Sequence, residues 1–160
     1  MNNAMLTAFT ADYRKIILDS SLGVAEIADV FIPLDDRVKI ARDAGAALFV
    51  SIHADIIGYE PGVSGATVYT GAEKASDNTA ARLAESENRA DAIAGHEARD
   101  EDSGVNDILL DLTRRETKNF AVQFAQNLLK TFGERGRLAR MPHQQANFKV
   151  LSAPDVPSAL

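Results

Sequence analysis

Three histidines and no cysteine bound the metal chemistry open to this sequence. The most suggestive histidine is His53, in Leu48-Phe49-Val50-Ser51-Ile52-His53-Ala54-Asp55, an apolar run closed by an imidazole and, two residues later, a carboxylate. A neutral imidazole supplies one of the three or four ligands that a zinc ion takes from protein. No other His or Cys stands at a ligand-like spacing. Either His53 is a structural, hydrogen-bonded residue, or the chain gives one donor to a larger site. His96 lies in the charge-dense stretch Gly95 to Gly104, where it could be a ligand or a solvated loop side chain.

The elements around His53 must place it. Ala47 to Ile52 is a continuous apolar run of strand length, as an interior strand covered on both faces requires. His53 then falls at the carboxyl end of that strand, where open α/β sheets bind their ligands. Upstream, Pro33 suits a first helical turn and Asp35 and Asp36 complement its positive end. Val38, Ala41 and Ala44 recur at helical spacing before Gly45. Before residue 30 only Tyr13 to Leu18 reads as a strand. Downstream, the turn-forming Gly58-Tyr59-Glu60-Pro61-Gly62 leads to a strand at Ala66 to Thr70.

Lys74 to Ala94 reads as one long helix whose apolar stripe runs through Leu83, Ala90 and Ala94. Glu87 falls on that stripe, four residues after Leu83, while Glu85 faces roughly the opposite way. A carboxylate on a buried stripe is costly unless it is paired or bound to a cation. Glu87 therefore calls for a partner, or sits at a stripe edge from which it reaches water. A second long helix runs from Val105 through Ile108, Leu109, Leu112, Phe120, Phe124, Leu128 and Phe132 to Gly133. Asn106, Arg115, Glu116 and Asn119 form its polar side. Arg135, Arg137 and Arg140 read as a loop before a strand at Phe148 to Leu151. A turn through Pro154 and Pro157 then precedes Ser158-Ala159-Leu160, the start of another apolar strand.

Composition narrows the classes. At 160 residues, 46% hydrophobic and 25% charged, the chain can bury one core. A net charge of −6 with no Lys/Arg cluster beyond pairs such as Arg114-Arg115 argues against nucleic acid as a partner. Without cysteine there are no disulfides and no thiolate ligands. Met1 to Thr10 lacks a basic leader and a cleavage site, and no stretch approaches a membrane span, so neither export nor anchoring is expected from these residues. Short strands alternating with helices predict an α/β layer fold.

Several segments together resemble the zinc-dependent N-acetylmuramoyl-L-alanine amidases of bacterial cell separation. They are Phe31-Ile32-Pro33-Leu34, Arg37-Val38 with Ile40-Ala41, Ala44-Gly45-Ala46, Phe49-Val50-Ser51-Ile52-His53-Ala54-Asp55, Gly65-Ala66-Thr67-Val68-Tyr69, and Val150-Leu151 with Ala153-Pro154-Asp155-Val156-Pro157-Ser158. The resemblance covers roughly residues 30 to 160. It implies an α/β sandwich around a mixed sheet flanked by helices, and zinc as cofactor. The implied activity is hydrolysis of the amide between N-acetylmuramic acid and the L-alanine of the stem peptide. It makes His53 a zinc ligand, and it places the family's catalytic acid/base glutamate beyond Leu160, so that no catalytic residue is assigned here. The family's Gly-His-Gly-Gly motif and its ligand glutamate are not found among these residues.

The same resemblance reads residues of about 72 to 104 as a regulatory insertion. Glu85-Ser86-Glu87-Asn88 with Ala90-Asp91, Ile93 and Gly95 are similar to the helix that occludes the zinc site in cell-separation members until an activator displaces it. Periodicity selects Glu87 as the occluding carboxylate, with Glu85 as the alternative. The expected organisation is an atypical segment 1–30 and a partial catalytic domain 31–160, truncated at both ends. The partners implied are peptidoglycan and a division-associated activator protein, in the periplasm for the parent enzyme. Two readings follow: part of an active septal amidase, or an inactive domain keeping only the autoinhibitory helix and an activator-binding surface.

Overall fold

A computed structural model describes residues 5–9, 14–19, 24–29, 32–53, 65–93, 95 and 108–160, the first three stretches as strand backbone and pairing. The strands are β1 (Met5–Phe9), β2 (Arg14–Asp19), β3 (Val24–Asp29), β4 (Leu48–Ile52), β5 (Ala66–Gly71), β6 (Leu138–Ala146) and β7 (Ser158–Ala159). They form one mixed sheet in the order β3-β2-β1-β4-β7-β5-β6. β4 runs parallel to β1 and β7, β5 parallel to β6, and β5 antiparallel to β7. This is the expected α/β class with helices on both faces. The strand expected at Tyr13 to Leu18 corresponds to β2, with Tyr13 itself outside the described residues.

Helix α1 (Leu34–Asp43) forms where the sequence signals it, and its end is set by chemistry. Gly45 takes φ +59, and the amides of Gly45 and Ala46 return to the carbonyls of Arg42 and Ala41. That pattern closes a helix with a left-handed residue that glycine adopts without a Cβ penalty. One face of the sheet is covered by α1, by α2 (Asn78–Asn88) and by a 3-10 turn at Lys149–Leu151. These bury Leu34, Ala41, Phe49, Tyr69, Ala80, Ala84, Phe148 and Val150 together. Tyr69 and Phe148 meet edge to face, ring centres 5.3 Å apart. On the opposite face α4 (Ile108–Gly133) lays Ala125 and Leu129 over Val68 and Ala159.

Three expectations are corrected. The helix expected over Lys74 to Ala94 is two pieces: α2, capped by Asp77 accepting from the Ala80 amide at 2.8 Å, and a single turn α3 (Ala90–Ile93). The residues it buries fully are Ala80, Ala84 and Asp91; Leu83 is half-buried against the same core, and Ala94 lies outside the described residues. The helix expected from Val105 is described from Ile108, and Gly58 to Gly62, His96, Val105 and Asn106 lie outside the described residues. The second correction is at Arg137 to Arg140, where the loop is largely strand. β6 is an edge strand, so it tolerates Pro142 and needs no continuous apolar run, which is why its sequence did not reveal it. Last, Phe148 to Leu151 is a buried turn rather than a strand; its apolar run reflects burial under α1.

Candidate functional site

β4 alternates faces, with Phe49 and Ser51 buried, and His53 follows in the same parity just past the strand end. His53 therefore emerges on the face that carries α2. The α2 stripe runs Ala80, Ala84, Glu87, and these three positions at helical spacing bring Glu87 over the end of β4. Glu87 Oε2 lies 3.1 Å from His53 Nδ1, with side-chain exposures of 23% and 7%, so the contact is covered but not sealed. On the other side of the ring the Ser51 hydroxyl meets Nε2 at 3.1 Å. Both ring nitrogens are thus engaged, one by a buried strand residue and one by α2.

Glu85 lies elsewhere. Its side chain is 63% exposed and pairs with Arg89 one turn on, an arrangement worth little at a surface. The two glutamates thus face different surroundings, Glu87 toward His53 and Glu85 toward solvent.

Around this pair the structure gathers residues to which the sequence gave no role. Asp91, buried within α3, accepts from the Leu34 amide at the start of α1, at 2.9 and 3.2 Å to its two oxygens. Pro33 stands at the N-cap of α1 and makes no side-chain cap, so a carboxylate 57 residues away satisfies that amide. Arg37, on the next turn, donates to the Ile32 carbonyl at 2.7 Å. Burial lowers the Arg37 guanidinium from its ordinary value, and Asp91 and Glu87 pull it back up. Asn88 spans two backbone groups, donating to the Asn147 carbonyl and accepting from the Lys149 amide, both at 2.8 Å. Asp91 could have been found as the position seven after Ala84 and four after Glu87. Setting the register on Leu83 and Ala90 hid it.

His143 plays a different part. It meets the Thr70 hydroxyl at 3.1 Å within the β5–β6 pair, and Gln145 donates to the same oxygen at 3.2 Å. Burial lowers its imidazole from the ordinary value. Cavities of about 250 and 570 Å³ open elsewhere, lined along α4 and by neither His53 nor Glu87.

A family model described as N-acetylmuramoyl-L-alanine amidase matches residues 19–160. The chain belongs to that amidase family. The N-acetylmuramoyl-L-alanine amidase AmiA of Escherichia coli K12 is 40% identical over 160 positions, covering 98% of this chain and 55% of the relative. AmiA of Salmonella typhimurium is equally similar. AmiC of Neisseria meningitidis serogroup B is 38% identical over 82% of this chain and 32% of its own length. The chain thus spans about half the length, or less, of the curated relatives it matches.

The amidase resemblance implies zinc, so the donors present can be tested against it. Two ligands next to each other around a tetrahedral zinc, each about 2.0–2.1 Å from the ion, stand about 3.3 Å apart. The 3.1 Å between Nδ1 and Oε2 is compatible with that spacing as well as with a direct hydrogen bond. Ser51 on Nε2 is the kind of partner that fixes the ring of a metal-binding histidine. Among the described residues, however, no group of three His, Cys, Asp or Glu converges. His53 and Glu87 fit as two donors, short of a complete zinc centre. Among the described residues no helix is long and apolar enough to cross a membrane.

Proposed function

We propose that these residues form part of the catalytic domain of a zinc-dependent peptidoglycan hydrolase held in an occluded state. The complete enzyme cleaves the amide between N-acetylmuramic acid and the L-alanine of the stem peptide during septal cell-wall splitting in the periplasm. A division-associated activator relieves the occlusion. The observation that supports this reading best is the contact of Glu87 with His53 across the end of β4. His53 is the zinc ligand that this chain contributes, and Ser51 orients its ring. Glu87 stands on the nitrogen that faces the insertion, so substrate and activating ligand both compete with it. Bound zinc would supply polarisation of the scissile carbonyl and a water of lowered pKa. No residue of this chain is assigned the acid/base role.

Purified cell wall incubated with the complete enzyme should release stem peptides bearing new L-alanine amino termini, leave glycan strands intact, and stop on chelation. Cleavage within the glycan or between stem-peptide residues would overturn the assignment.

A further inference from the structure

Helix α2 has little of its own to hold it in place. Eleven residues are marginal as a helix in water, and the residues it buries fully, Ala80 and Ala84, are too small to lock one register by shape. Yet Glu87 meets His53 at 3.1 Å, a contact that a small slide of the helix would break. Ser76, just before the helix, anchors its far end by donating its amide to the Gln145 carbonyl at 2.8 Å and accepting from the Gln145 amide at 2.7 Å, and the holds at the Glu87 end are polar too. Asn88 grips the Asn147 carbonyl and the Lys149 amide through both ends of its side-chain amide. Asp91, one turn further, takes the first amide of α1, with the Arg37 charge nearby. The two grips fall on different parts of the body: the turn after β6 and the start of α1. Neither uses His53.

We propose that Asn88 and Asp91 are positioning residues, a two-point clasp that registers the insertion on the body and holds Glu87 against His53. Opening of the site then requires the clasp to part as well as the Glu87 contact. This inference rests on the reading of Glu87 as the occluding carboxylate.

Peptide-level hydrogen exchange on the 160-residue chain tests it. Asn88→Ala and Asp91→Asn should each speed exchange across 78–93 by about tenfold or more, the effect of losing a hydrogen bond or two from a locally opening segment. α4 and β5 should stay as protected as in the unaltered chain. Exchange across 78–93 unchanged in both variants would overturn the clasp. So would protection lost equally in α4 and β5, since that marks general destabilisation. The Glu87 reading fails separately: Glu87→Gln in the complete enzyme would then leave basal cell-wall hydrolysis unchanged, while the exchange result stands on its own.

Discussion

His53 is held from two sides, and the two sides have different consequences. Ser51 is buried in β4, two residues away on the same face, so its hydroxyl is fixed by the strand and sets the ring's orientation. Glu87 arrives on a separate element, so its contact can be made and broken without disturbing the sheet. A carboxylate and an imidazole alone give a zinc ion two donors where three or four are needed. Isothermal titration of the 160-residue chain with zinc should therefore show no stoichiometric submicromolar site. Such a site would mean that ligands outside the described set complete the centre. The place of His53 just past a strand end was legible in the apolar run before it. The roles of Asn88 and Asp91 were not, because a side chain that caps a distant helix or grips a distant turn leaves no local pattern in the sequence.

At the scale of elements, closure of the sheet depends on how near β5 and β6 can approach. Gly65 stands just before β5 with φ +119, and a Cβ there would meet the Leu138 carbonyl carbon at 2.5 Å and the Ala139 nitrogen at 2.6 Å. Both are backbone atoms, so the strands would have to part. Gly45 at the end of α1 has positive φ but open space around it, so alanine there carries only the conformational cost of about 1 kcal/mol. Gly65→Ala should cost about 3 kcal/mol or more, read as a lower denaturation midpoint. Equal losses at the two positions would contradict the close approach. α1 and β4 were readable because helical spacing, an end signal and an interior apolar run agree there. β6 was not, since an edge strand can be half polar and contain Pro142, and α2 was misregistered because an alanine stripe beside Leu83 offers two plausible faces.

For the whole molecule, α2 packs on the β6 side of the sheet and brings Glu87 to His53 just past the end of β4. On the opposite face α4 packs over β5, β6 and β7, away from that end. The larger of the two cores lies on the α1–α2 face, the same face that carries the His53–Glu87 contact. Family membership and the Glu87–His53 contact together support the proposal of a zinc amidase held in an occluded state. Hydrolysis of purified cell wall by the complete enzyme without activator tests that claim most directly, comparing Glu87→Ala with Glu85→Ala. Glu87→Ala should raise the basal rate at least about tenfold, the effect of removing a competing contact worth about 1.4 kcal/mol, and Glu85→Ala should leave it unchanged. An unchanged rate in Glu87→Ala beside an activated Glu85→Ala would contradict the account.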